Sequence, residues 1–271
     1  HHAASFKAGL RMLAERYPNC IIVGCSSDSV AGASGIEGAL PGVSLTAAEL
    51  PDVEIRTHHF ASSEPLPVTA AEWHESVDVD PDQKPVLLVF SDATPGRVER
   101  MNSGLDLSYP ESVKAGGIPS RLMAEGTHYL FEAGRLHSEG DLVVALYGDI
   151  AADVVVCPGA RPVGAPLVVT RSDGTELLEL DGRPALRVMQ AVYETMTSKH
   201  KELFQRSPMI GIGIEDHRGR VVDFLVRNIV RVHRASGMFS SPDPIRDHQT
   251  VQFFVRDPEA VLVDLRTLLE T

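Results

Sequence analysis

Residues 159–185, GARPVGAPLVVTRSDGTELLELDGRPA, decide the fold class of this chain. Arg161-Pro162 and Gly164 punctuate the start, Leu167-Val168-Val169 is apolar and β-branched, and Ser172-Asp173-Gly174 is hairpin-turn chemistry ahead of a second strand ending near Leu180. Asp181-Gly182-Arg183-Pro184 closes the ribbon, and Pro184 suits a first helical turn because the N–H it lacks would have no partner there. Strand, tight turn, strand and helix within so few residues predict antiparallel sheet joined directly to helix. Nothing in the stretch is a catalytic signature.

Toward the N-terminus, Phe6, Leu10, Leu13 and Tyr17 share one face of a helix over residues 3–16, which Pro18-Asn19 ends before a short strand at 20–23. A Gly/Ser-rich loop over 24–38 leaves that strand. Residues 43–45 and 53–55 read as strands turned by Pro51-Asp52, and residues 69–75 as a helix carrying the only tryptophan, Trp73. PVLLVF at 85–90 is an apolar strand with Ser91-Asp92 at its end and a helix over 97–107, an order in which a polar residue at the strand's carboxyl end faces a crevice. Ala115-Gly116-Gly117 is a backbone-permissive turn. Residues 130–136, 141–146 and 154–156 continue as a meander. Toward the C-terminus come helices over 184–196 and 199–205, and a hairpin of 209–214 with 221–232 around Asp216-His217-Arg218-Gly219. A strand at 250–255 and a helix started by Asp257-Pro258 complete the chain.

The 271 residues, 43% of them hydrophobic, support a large core in one or two domains. A net charge of −12 argues against nucleic acid or an anionic membrane as partner, since either needs a basic stripe. Cys20, Cys25 and Cys157 form neither an even disulfide framework nor a zinc pattern, and no run approaches a membrane span. The expectation is a soluble, cytoplasmic protein.

Several groups invite chemistry. Cys25-Ser26-Ser27-Asp28 follows a buried strand, where a nucleophile or a ligand-facing hydroxyl could sit, yet the G-x-S-x-G elbow is missing and no nearby histidine supplies a base. No H-E-x-x-H occurs, and His58 and His59 point to opposite faces of a strand, so no metal site is expected. Gly211-Ile212-Gly213 lacks a third glycine and no G-K-[ST] follows any loop, which removes a P-loop. Arg161 opens the central turn and Arg227 interrupts an apolar run. Each suits bidentate recognition of a carboxylate, or sits on a solvent face paired to Asp181 or Asp223.

As an ordered set, Ile22-Val23-Gly24-Cys25-Ser26, residues 41–45, Leu87-Val89-Phe90-Asp92, Ala115-Gly116-Gly117, residues 159–170, 178–185, 224–229 and 249–257 resemble the FIST family of bacterial sensory proteins and some F-box proteins. The resemblance implies an α+β fold of mixed, largely antiparallel sheets flanked by helices, in two related modules packed together. Residues 1–181 would form the N-terminal module without the family's opening strand. Residues 182–271 would form a C-terminal module stopping short of a Cys/Gly-rich strand segment. It further implies a non-catalytic sensory role in signal transduction, with an amino acid as the small ligand. The Gly-rich strand ends, and arginines placed to meet an anionic group, make Cys25, Ser26, Ser27, Asp28, Gly116, Gly117, Arg161 and Arg227 the candidate ligand-binding residues. A signalling output domain or partner protein, no cofactor and no metal complete the expectation. The alternatives are a protein-interaction adaptor, as in F-box relatives, a haem-based nitric oxide sensor, and a cysteine-dependent activity at Cys25. Ile118-Pro119-Ser120-Arg121 departs from the family's Gly/Ser-rich pattern.

Overall fold

The computed structural model describes residues 3–27, 29–32, 35–37, 42–94, 96–120, 128–155, 157, 159–215 and 218–270. The chain forms two compact units, His1–Val154 and Val155–Thr271. Its helices and predominantly antiparallel sheets make it an α+β protein. Among the described residues no helix is long and apolar enough to cross a membrane.

In the first unit the order is α1 (Ala3–Arg16), β1 (Val23–Cys25), β2 (Val30–Gly32), β3 (Gly35–Glu37), β4 (Val53–Phe60), α2 (Ala70–Val77), β5 (Val86–Phe90), α3 (Arg97–Ser108), β6 (Lys114–Gly117), β7 (Leu130–Glu132), β8 (Arg135–His137) and β9 (Asp141–Gly148). The main sheet runs β4-β9-β5-β6, with β5 and β6 parallel. β5 is apolar throughout because both its faces are covered. Leu87 and Val89 join a core with Trp73, Met101 and Leu105 of α2 and α3, while Leu88 and Phe90 pack on a second core around Leu130 and Leu142. Thr69 caps α2 through a reciprocal capping box with Glu72. Gly104 lets α3 close on α2, since a Cβ there would lie 2.4 Å from the Trp73 indole.

The second unit runs β10 (Arg161–Asp173), β11 (Glu176–Leu180), β12 (Arg183–Pro184), α4 (Ala185–Thr195), α5 (Ser198–Arg206), β13 (Pro208–Glu215), β14 (Val221–Asn228), β15 (Arg231–His233), β16 (Met238–Ser240), β17 (Thr250–Val255) and α6 (Pro258–Leu269). β10 organises it. Its first half pairs with β17 and its second half with β11, with an irregularity between Val163 and Leu167 where Gly164 takes a φ of +74°. Asp181 and Gly182 both have positive φ, as a two-residue primed hairpin turn requires, and the Asp181 carboxylate accepts the Val168 N–H at 2.9 Å. The hairpin therefore belongs to the second unit's sheet, and the compact units divide well ahead of residues 181–182.

Several strand expectations change. Residues 115–117, expected as a turn, belong to β6, and residues 30–32 and 35–37 of the Gly/Ser-rich stretch pair as β2 and β3. The strand after α1 sits at Val23–Cys25, later than residues 20–23, because it takes its register from β7 through Val23 opposite Glu132. Residues 42–50 are exposed and irregular, with Val43 and Leu45 about two-thirds exposed; their alternation finds no neighbouring strand. Residues 154 and 155 are likewise irregular. Val156, Arg121 and the Asp216-His217 tip of the β13–β14 hairpin lie outside the described residues.

At the end of the main sheet, Arg97 and Asp141, 5% and 0% exposed, form a buried ion pair with Nε to Oδ2 at 2.5 Å. Arg97 also donates to the carbonyls of Phe60 (3.3 Å) and Ala61 (2.9 Å), and Asp141 Oδ1 accepts the Asp92 N–H at 2.9 Å. One pair thus ties the ends of β4, β5 and β9 to the start of α3. Breaking a buried pair leaves a bare charge in low dielectric. Asp141→Asn or Arg97→Met is expected to cost about 3–5 kcal/mol in urea unfolding followed by circular dichroism. The double variant Arg97→Met/Asp141→Leu is expected to cost far less than the sum of the singles. Additive losses would show that the two side chains act independently.

Candidate functional site

The carboxyl ends of the parallel pair β5 and β6 open into a crevice of about 380 Å³, walled on one side by α3. The location follows from the fold: a ligand reaches an α/β sheet where parallel strands end and a helix begins. Val89, Ser91, Asn102, Lys114, Gly116 and Gly117 are among its lining residues. Gly116 has no substitute here, because a Cβ would lie 1.8 Å from the Val89 carbonyl oxygen. The floor of the crevice is accordingly backbone.

Ser91 directly follows β5 and is 3% exposed; its N–H donates to the Gly117 carbonyl at 3.1 Å, and its hydroxyl has no partner among the described residues. A buried hydroxyl without a hydrogen bond costs free energy that a ligand can return. Lys114 is committed to the fold. Its ammonium donates to the carbonyls of Tyr109 (2.6 Å) and Ser112 (3.2 Å) and pairs with Asp106 at 3.1 Å.

The residues singled out from the sequence fall into separate places. Cys25 lies on β1, half-buried beside the core around Leu130, and burial pushes its thiol up from the ordinary range. Ser26 is buried and fully bonded. Its N–H donates to Tyr129 O (2.8 Å), its hydroxyl donates to Ser120 O (2.8 Å) and accepts from Tyr129 N (3.0 Å), and its carbonyl accepts the Ser120 N–H (3.1 Å). Ser27 is exposed, its hydroxyl accepting the Ser29 N–H at 3.4 Å. Asp28 lies outside the described residues. Gly116 and Gly117 line the crevice, and Ser120, three residues on, carries the tie to Ser26.

Arg161 and Arg227 belong to the second unit, each with a carboxylate of its own. Arg161 Nη2 lies 3.2 Å from Asp264 Oδ1 on α6, and Arg227 Nε lies 2.5 Å from Asp243 Oδ2. Neither uses Asp181 or Asp223, the partners considered from sequence. The former caps its own hairpin through Val168, and the latter accepts from Phe224 N–H at 2.7 Å. His59 stacks on His137 with ring centroids 3.7 Å apart, and its Nε2 lies 2.7 Å from Glu139 O, whereas His58 packs on Phe60. Burial, the larger cause in each, lowers the pKa of His58 and of His137. Among the described residues no three His, Cys, Asp or Glu side chains gather as a metal site.

Sequence reasoning passed over Asn102 and the Arg97–Asp141 pair and left Ser91 out of the site. The signal for Ser91 was present, since a polar residue at the end of an apolar parallel strand faces a crevice.

The FIST N domain profile matches residues 1–183. The chain is also similar to Uncharacterized protein MT0656 of Mycobacterium tuberculosis strain CDC 1551 / Oshkosh, 32% identical over 175 residues, which is 64% of this chain and 44% of that protein. Uncharacterized protein Mb0898c of Mycobacterium bovis is 29% identical over 175 residues, with the same shares. The matched stretch therefore spans less than half the length of these relatives. With two-thirds of its length matched by the FIST N domain, the chain belongs to the FIST family, a family of sensory domains in signal transduction.

Proposed function

We propose that this chain is a non-catalytic sensory module that binds a small polar ligand, an amino acid, in the crevice at the ends of β5 and β6. The unpartnered, buried Ser91 hydroxyl carries this reading. The volume lies at the small end of ligand pockets, which suits an amino acid more than a nucleotide. Backbone carbonyls and Ser91 would meet the ligand's ammonium, and Asn102 on the α3 wall would offer both a donor and an acceptor. Occupancy would be relayed from Ser91 by its hydrogen bond to Gly117, along the backbone to Ser120, and by the Ser120–Ser26 hydrogen bonds to β1. A partner protein or output domain would read the change.

Calorimetry on the intact chain across the twenty amino acids is expected to find at least one that binds, and Ser91→Ala is expected to weaken it about 3- to 10-fold, the worth of one neutral hydrogen bond. No binding by any of them, or unchanged affinity in Ser91→Ala with native circular dichroism, would sink the reading.

The absence of catalysis at Cys25 has its own test. Only the thiolate is nucleophilic, and burial holds the Cys25 thiol above its ordinary pKa, so its thiolate fraction near neutrality is small. Alkylation by iodoacetamide followed by mass spectrometry is expected to label exposed Cys20 before Cys25, with the Cys25 rate still climbing above pH 9. Preferential labelling of Cys25 at pH 7 would mark it as activated and reverse the assignment.

A further inference from the structure

The second unit contains a groove of about 710 Å³ between α4, α5 and the β15–β16 turn, separate from the residues considered so far. Leu186, Met189 and Phe204 give it apolar walls; Leu186 and Met189 are three residues apart on one stripe of α4, and Phe204 is a core residue of α5. Among the described residues its only charged lining residues are Arg187 and Arg234. The Leu186 N–H donates to Gly237 O at 2.9 Å, which holds the β15–β16 turn carrying Arg234 against the first turn of α4 carrying Arg187.

Two features leave the charge of these arginines uncompensated. Arg97, Arg161 and Arg227 each have a carboxylate within 3.2 Å, whereas neither Arg187 nor Arg234 has an ion-pair or hydrogen-bond partner among the described residues. No acidic residue lies in the first turn of α4, and the groove lining contributes no carboxylate. In a chain of net charge −12, two guanidiniums over an apolar wall whose described lining holds no carboxylate form a local positive site. Lys201 adds to it, its ammonium 5.6 Å from the Tyr193 ring centroid at the groove's edge.

We infer that this groove binds a small organic anion, its oxyanion head held by Arg187 and Arg234 and its apolar body laid on Leu186, Met189 and Phe204. Guanidinium is suited to the head because its planar fork meets carboxylate or phosphate with two parallel hydrogen bonds. The apolar wall is suited to the body because an inorganic anion would leave it wet. The site belongs to the second unit and the β5–β6 crevice to the first, and it holds or fails independently of the function proposed above.

The test is titration calorimetry of the full chain with phenylacetate, phenyl phosphate, acetate and benzyl alcohol. Phenylacetate or phenyl phosphate is expected to bind, the stronger of the two identifying the head group, with acetate and benzyl alcohol at least about tenfold weaker because each supplies half of the recognition. Arg187→Ala/Arg234→Ala is expected to weaken the better ligand by about tenfold or more, and Arg187→Lys/Arg234→Lys by less, since charge survives and the fork is lost. Arg183→Ala, outside the groove, is expected to change nothing. All these arginines are exposed, so circular dichroism is expected to report an unchanged fold. The inference is overturned if neither anion binds at millimolar concentration, if benzyl alcohol matches phenylacetate, or if the double alanine variant keeps wild-type affinity.

Discussion

The first unit depends on a buried charge pair that no periodicity argument anticipates. Arg97 sits where α3 begins and Asp141 where β9 begins, and between them they occupy the carbonyls of Phe60 and Ala61 and the amide of Asp92. Those groups stand at the ends of β4 and β5, where ladders stop and backbone polar atoms lose their strand partners. A charged pair is a costly way to satisfy them, and water could do it more cheaply at a surface. Its use here keeps the end of the sheet dry beneath the start of α3, the helix whose next turns wall the crevice.

Two serines show how similar residues at strand ends take different parts. Ser26 follows β1 and spends its amide, carbonyl and hydroxyl on Tyr129 and Ser120, so it joins three stretches of chain and has little left for a ligand. Ser91 follows β5 and, among the described residues, its amide bonds to Gly117 while its hydroxyl has no partner. The difference lies in the neighbour. β1 pairs antiparallel with β7, whose loop returns within reach of the serine, whereas β5 pairs with a parallel β6 that leaves in the same direction and opens a space.

Much of the fold was legible because local chemistry and tertiary context agree. The run PVLLVF is a strand covered on both faces, Asp181-Gly182 takes the turn its residues favour, and Asp257-Pro258 starts α6 with the Asp257 side chain accepting the Glu259 N–H. Failures arise where context decides. β4 runs on to Phe60 through Arg56, Thr57, His58 and His59, polar residues carried along by full pairing with β9. Val43 and Leu45 alternate like a strand without a neighbour to make them one. In the candidate site the glycines and the polar strand end could be read. The partners of Arg161 and Arg227 could not, since Asp264 lies 103 residues from the first and Asp243 16 from the second.

Trp73 is the only tryptophan in the chain, fully buried, with its indole against Gly104 of α3, two residues from Asn102 on the crevice wall. The indole N–H has no hydrogen-bond partner among the described residues, and the ring sits in an apolar setting whose emission is sensitive to the approach of water or a dipole. A shift of α3 by a few tenths of an ångström would move the surface the ring rests on. The molecule thus carries one tryptophan, set against the helix that walls the crevice, and its emission, excited apart from that of the tyrosines, follows movements of that helix without a label.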